Sequence, residues 1–152
     1  MINFKAVDAQ IENGYISKRK HPTTDLWILN YTTKTQVEWL WTKETIACRG
    51  LIVDAKNNIV ARPFQKFFNH NQLEGLRNHV HHLYGVKYKD IFKHEFTLHE
   101  KMDGSLGILF YSGKRWEIAT RGSFESEQAK LGTLLLHSKP EYREWLKTLD
   151  RS

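Results

Sequence analysis

An α+β fold, a mostly antiparallel sheet with flanking helices, is predicted for this sequence of 152 residues by three observations. Short runs rich in β-branched and aromatic residues dominate, tight turns join neighbouring runs, and helical periodicity is confined to a few stretches. In chain order the strand candidates are 25–32 (DLWILNYT), 49–54 (RGLIVD), 58–63 (NIVARP), 94–101 (HEFTLHEK), 106–112 (LGILFYS) and 115–120 (RWEIAT). The segment DAKNN turns 49–54 back on 58–63, and SGK turns 106–112 back on 115–120, because Asp, Asn and Gly accept the backbone angles of tight turns. Hairpins rather than helical crossovers join these neighbours, so the sheet is expected to be antiparallel.

The helical stretches have separate signals. Over 71–85, Leu73, Leu76, Val80 and Leu83 fall on one face and Gly85 is placed as a stop. The stretch 124–138 follows Ser123 as its expected N-cap, with Glu125 and Glu127 favourable in the first turn. Pro140 opens a third helix, PEYREWLKTLD, whose Tyr142, Trp145, Leu146 and Leu149 share a face.

Length and composition bound the rest. A chain of 152 residues holds one ordinary domain, and no repeat, low-complexity tract or Pro/Gly-rich linker divides it. Five Trp, six Tyr and eight Phe supply enough bulky core material to argue against disorder. The lone cysteine, Cys48, excludes an internal disulfide and suits a reducing compartment, with a buried inert thiol as its expected state. No apolar run is long enough to cross a bilayer, and MINFKAVDAQ lacks the apolar core of a secretory signal, so a cytoplasmic protein without membrane attachment is expected. A net charge of +6 favours a polyanionic partner such as RNA, DNA or a nucleotide phosphate. The basic residues are scattered (SKRKH at 17–21, KYK at 87–89, GKR at 113–115), so a solvated surface remains an equal alternative on charge alone.

Lys101 carries the chemistry. It stands at the expected end of a strand, and Asp103-Gly104 begins a tight turn into the next one. A lysine held at a rigid edge serves as a nucleophile when burial or nearby cations destabilise its ammonium. Arg49 at a strand start, Lys66 among aromatic residues and Arg121 at a strand end before a glycine are the candidate cations, able to clamp phosphates by charge-assisted hydrogen bonds. Each alone is also an ordinary surface cation at a strand end. In HVHH, His79 and His82 would share a helical face, but no spaced Cys or second His pair accompanies them, so no metal ligands are assigned.

Together the segments ACRGLIVD (47–54), RPFQKFFN (62–69), EKMDGSLG (100–107) and TRGSFESEQA (120–129) resemble, in order and spacing, the bacteriophage T4 type of ATP-dependent RNA ligase, the tRNA-repair type, from about residue 45 to 130. The resemblance implies a nucleotidyltransferase (ligase adenylation) domain with ATP and Mg²⁺ as cofactors and RNA ends, including tRNA, as partners. Lys101 would attack the α-phosphorus of ATP to form lysyl-AMP, the AMP would pass to an RNA 5′-phosphate, and a 3′-hydroxyl would displace it. By position, Arg49, Lys66 and Arg121 correspond to the family's phosphate and nucleotide contacts, Arg121 standing where the T4 enzyme has lysine, a fork in place of a point charge. Asp103 and Gly104 would shape the loop beside the nucleotide, while Ser105 either adds a hydrogen bond or serves the turn alone. Phe68 would stack on or beneath the adenosine, with Phe67 in the core. Glu100 is a candidate acceptor for the adenine amino group, although strand alternation turns it away from the side that Lys101 faces.

The family's downstream acidic motifs and late lysine motif have no recognisable equivalent here. Residues 1–152 are therefore expected to be a single domain, the amino-terminal part of an adenylation domain completed by a downstream segment or a second chain, and to show weak stability or self-association where the sheet is left open. Two alternatives stand beside the ligase: a noncatalytic nucleotide- or RNA-binding module that retains the fold, and a DNA-joining nucleotidyltransferase, since the K-x-D-G chemistry is shared.

Overall fold

Asn3 begins the first helix, α1 (Phe4–Glu12), by accepting a hydrogen bond from the Ala6 N–H at 3.3 Å. It belongs to a computed structural model that describes residues 2–69, 72, 90, 93–95, 97 and 99–150. The chain divides into two units, Met1–Gln65 with Ser105–Ser152, and Lys66–Gly104.

In the first unit, β1 (Ile16–Lys20) and β2 (Leu26–Tyr31) form a hairpin, two single-turn helices follow as α2 (Thr33–Val37) and α3 (Lys43–Ala47), and β3 (Arg49–Asp54) and β4 (Ile59–Ala61) form a second hairpin. These strands make one antiparallel sheet in the order β1-β2-β3-β4. A separate antiparallel pair, β5 (Ile108–Tyr111) and β6 (Trp116–Ala119), precedes α4 (Glu127–Ser138) and α5 (Pro140–Lys147).

The period of two in β3 explains the layering. Leu51 and Val53 join Val7 of α1, Ile16, Leu29 and Cys48 in one core, while Ile52 joins Leu26, Ile28, Ile108, Phe110 and Ala119 in another. The sheet is thus buried on both faces, by α1 and α3 on one side and by the β5–β6 pair on the other. That is why 50–53 reads as an unbroken buried run rather than an alternating one. Truncating a residue such as Leu51, with no exposed surface, costs about 2 to 5 kcal/mol.

The α+β class, the antiparallel sheet and both expected hairpins are present. The turn 54–58 is held by its own first residue: the Asp54 carboxylate accepts from the N–H groups of Lys56 and Asn58 and from the Asn58 side-chain amide, each at 2.8 Å, while Asn57 takes a left-handed φ of 62°. The strand expected over 58–63 stops at Ala61, before a proline that has no N–H to give a ladder.

Three expectations change. Among residues 94–101 those described (94, 95, 97 and 99–101) are exposed and lie outside any strand, because alternating residue types make a strand only where a neighbouring edge is there to pair. The helix expected from 124 begins at Glu127, with Ser126 as its cap. Ser123 is taken by a turn, where its carbonyl accepts from Thr120 and its hydroxyl from the Glu125 N–H. The third helix starts at Pro140 as expected but ends at Lys147. Of the helix expected over 71–85, all but Gln72 lies outside the described residues, as do His79, His81 and His82.

In the second unit, Phe68 is buried at 8% exposure and Phe67 is half exposed at 49%, reversing the expectation that Phe67 is the core residue. Residues 66–69 are not in a strand, so strict alternation does not govern which ring is covered. No helix among the described residues is long and apolar enough to cross a membrane.

Candidate functional site

Arg49 and Arg121 belong to the first unit, and Lys66, Phe68, Glu100, Lys101, Asp103 and Gly104 to the second.

In the first unit a glycine arranges the basic residues. The β2–β3 ladder pairs Leu29 with Leu51 but Asn30 with Arg49, leaving Gly50 as the extra residue of a β-bulge at φ 84°. Strict alternation from Leu51 and Val53 would put Arg49 on the face covered by α1. The bulge turns it instead to the face of its partner Asn30, the face on which β5 and β6 pack. The missing Cβ also admits the turn after β6, since a Cβ at Gly50 would lie 3.1 Å from the Arg121 carbonyl oxygen and 3.2 Å from its Cα. Gly50 therefore brings the Arg121 backbone against the strand start that carries Arg49.

Each guanidinium has a placed partner. Arg49 Nη1 donates to the Phe64 carbonyl at 3.2 Å, and Arg121 Nη1 donates to the Tyr31 hydroxyl at 2.9 Å with its guanidinium carbon 5.1 Å from the Tyr31 ring centroid. Tyr31 is itself fixed, 4% exposed, edge-on to Trp41 at 5.1 Å, its N–H donating to the Cys48 carbonyl. Asn30 donates to the Tyr31 carbonyl, and its side chain lies beside Gly122. Tyr31, Asn30 and Gly50 are site residues that the motifs of the sequence do not single out. The glycine inside a strand pattern, directly after Arg49, is the signal that points to a bulge.

Cys48, next to Arg49, is fully buried, and its thiol is pushed up to about 12, by burial first and then by the Glu44 carboxylate. It is the inert thiol that the sequence suggests, not a nucleophile.

In the second unit, Lys66 Nζ donates to the Phe67 carbonyl at 2.8 Å and sits 4.5 Å from the Phe68 ring centroid. A cation held beside a buried ring suits a phosphate group at that point. Lys101 Nζ lies 3.6 Å from an Asp103 carboxylate oxygen, with the side chains 66% and 100% exposed. Gly104 takes a φ of 121°, a conformation that favours glycine. Glu100 is exposed, and because residues 99–101 are not in a strand, pleating does not separate it from Lys101. Among the described residues no three His, Cys, Asp or Glu gather as a metal site.

A model of the RNA ligase family, of the T4 type, matches residues 47–150. The chain is also 27% identical over 154 aligned residues to an RNA ligase of Rhodothermus phage RM378, covering 91% of this chain and 33% of that relative. A putative bifunctional polynucleotide kinase/RNA ligase of Autographa californica nuclear polyhedrosis virus is 34% identical over 86 residues, 54% of this chain and 12% of the relative. The chain thus spans about a third of the phage relative's length. The family match takes in Arg49 with its bulge, Lys66, the EKMDGS segment and Arg121, and with two thirds of the sequence inside it the chain belongs to the T4-type RNA ligase family.

Proposed function

We propose that this chain is the amino-terminal part of the adenylation domain of an ATP-dependent RNA ligase. The observation that carries the proposal is the family match over 47–150, which spans the lysine motif and both arginines ordered around Gly50. In this proposal Lys101 Nζ attacks the α-phosphorus of ATP. The new N–P bond forms as the bond to the pyrophosphate oxygen breaks, and the amine gives up its proton. The AMP then passes to an RNA 5′-phosphate, and an RNA 3′-hydroxyl displaces it to join the strands. The Lys101 amine must leave Asp103 to react, and the exposure of both groups makes that separation inexpensive.

Arg49 and Arg121 bind phosphate oxygens, Arg121 with a guanidinium already oriented by Tyr31. Lys66 binds phosphate beside the Phe68 ring, Glu100 accepts from the adenine amino group, and Asp103 with Gly104 shapes the loop next to Lys101. The described residues do not form a cation cage, so no step is assigned to protein-bound metal; Mg²⁺ would be carried by the ATP phosphates. RNA ends, tRNA among them, are the proposed substrates, the cytoplasm the proposed location, and a further segment or second chain the proposed source of the remaining family motifs.

Intact mass after incubation with ATP and Mg²⁺ tests the first step. The native protein should gain one AMP and the Lys101→Ala variant none. A folded native protein that gains nothing would leave the noncatalytic binding module or a fragment that needs the downstream motifs, and adding back a longer downstream segment would separate those two.

A further inference from the structure

Within the first unit, β1 reads Ile-Ser-Lys-Arg-Lys, and only Ile16 of it is buried. Among the described residues β1 is the edge strand of its sheet, paired only with β2. Alternation puts Lys18 and Lys20 on one face of the strand and Arg19 on the other, so the three cations straddle that edge. The register sets Lys18 opposite Leu29 and Lys20 opposite Trp27. Both ammonium groups lie over the same indole, Lys18 Nζ at 5.6 Å and Lys20 Nζ at 5.4 Å from the Trp27 ring centroid. Trp27 is anchored in turn, packing against the core of Val7, Ile16 and Leu29. Lys20 also pairs with Asp25 at 2.8 Å, whereas among the described residues neither Lys18 nor Arg19 has a carboxylate within 4.0 Å.

Charge alone is enough to guard a sheet edge against pairing. Gathering two long lysine side chains over one ring is a feature that a guard does not require. Lys18 and Lys20 stand two residues apart, about 6.7 Å along the strand, a spacing that suits the phosphates of an extended polyanion, and the Trp27 indole gathers both ammonium groups on one side of the strand.

We infer that β1 and Trp27 form a docking strip for single-stranded RNA, with Lys18, Arg19 and Lys20 holding the sugar-phosphate backbone. This rests on the reading of the chain as part of an RNA ligase and adds to it a strand-binding surface made of residues that the nucleotide reading does not use.

The test is fluorescence anisotropy of the full chain with a labelled single-stranded RNA of about 20 nucleotides across a salt series. Lys18→Ala with Lys20→Ala should weaken binding at least about tenfold at low salt and reduce the slope of log affinity against log salt by about 1.4, near 0.7 for each phosphate no longer neutralised. Lys18→Arg with Lys20→Arg should restore the slope. Trp27→Leu, which keeps the charge but loses the platform, should weaken binding with the slope retained. Unchanged affinity and slope in the double alanine variant would overturn the inference, as would an equal loss in the pair Lys43→Ala with Lys130→Ala on α3 and α4, which would report net charge only. Self-adenylation of the native protein, measured in parallel, tests the ligase reading by itself. Lysine-dependent RNA binding without adenylation would sustain the strip and count against adenylation by this chain alone, and adenylation without lysine-dependent binding would overturn the strip and sustain the ligase reading.

Discussion

Replacing Gly50 by alanine tests the device that sets Arg49 and Arg121. The new methyl would overlap Ile108 Cδ1 and stand 3.1 Å from the Arg121 carbonyl oxygen and 3.2 Å from Arg121 Cα. It would also sit on a backbone at φ 84°. A left-handed conformation costs an L-residue about 1 to 2 kcal/mol. Displacing Ile108, 4% exposed in a packed core, costs about 1 to 3 kcal/mol more. The expected destabilisation is therefore about 2 to 5 kcal/mol, a large part of a typical domain's 5 to 15 kcal/mol. Denaturant titrations of a double-mutant cycle separate the two terms. Ile108→Val deletes the clashing Cδ1, by itself costs about 0.5 to 1.5 kcal/mol, and should recover about 1 to 2 kcal/mol when combined with Gly50→Ala. A Gly50→Ala loss below about 0.5 kcal/mol would refute both the bulge and the close approach; a strictly additive cycle would refute the packing against Ile108.

Three more outcomes follow from particular groups. Tyr31→Phe removes the acceptor of the Arg121 guanidinium, and should cost about 1 kcal/mol and weaken ATP-dependent AMP labelling without unfolding the chain; labelling that stays at the native level would separate Tyr31 from Arg121's role. The Asp54 carboxyl is held below its ordinary range by the Asn58 side-chain amide first, and then by the N–H groups of Asn58 and Lys56. Its contribution to stability is therefore present above the unfolded value of about 3.9 and is lost as pH falls through the lower folded value. The denaturation midpoint of the native protein should drop in that acid window more steeply than that of Asp54→Ala, and parallel profiles would contradict the turn geometry. Cys48 should resist a thiol reagent at pH 8 in the folded chain and react at the rate of unfolding, whereas rapid labelling of the native state would show that the thiol is not buried.

Much of the fold is legible where burial leaves a pattern. The runs around β2, β3, β5 and β6 carry β-branched and aromatic residues, and α5 announces itself with Pro140. The first twenty residues are not legible, because β1 buries only Ile16 and so shows almost no alternation. The single-turn helices α2 and α3 have too few residues for periodicity and are defined by their Thr32 and Thr42 caps. The choice between Ser123 and Ser126 as a helix cap depends on a turn at Thr120 that spacing does not reveal. Chemical type and motif point to the charged site residues and Phe68, but not to Asn30, Gly50 or Tyr31; Tyr31's role depends on reaching Arg121 ninety positions along the chain.

The turn after β3 also bears on the order in which the chain folds. The three bonds of the Asp54 carboxylate all end within residues 56–58, so this corner closes a very short loop and needs nothing from distant sequence. Pairing of β2 with β3 instead brings together residues separated by α2 and α3, and packing of Ile108 against Ile52 must wait for the intervening segment. The 54–58 corner is accordingly expected to exist in the folding transition state before the cores on either side of the sheet are complete. In kinetic terms, Asp54→Ala should slow refolding and leave unfolding nearly unchanged, and a variant that only accelerates unfolding would place the corner late.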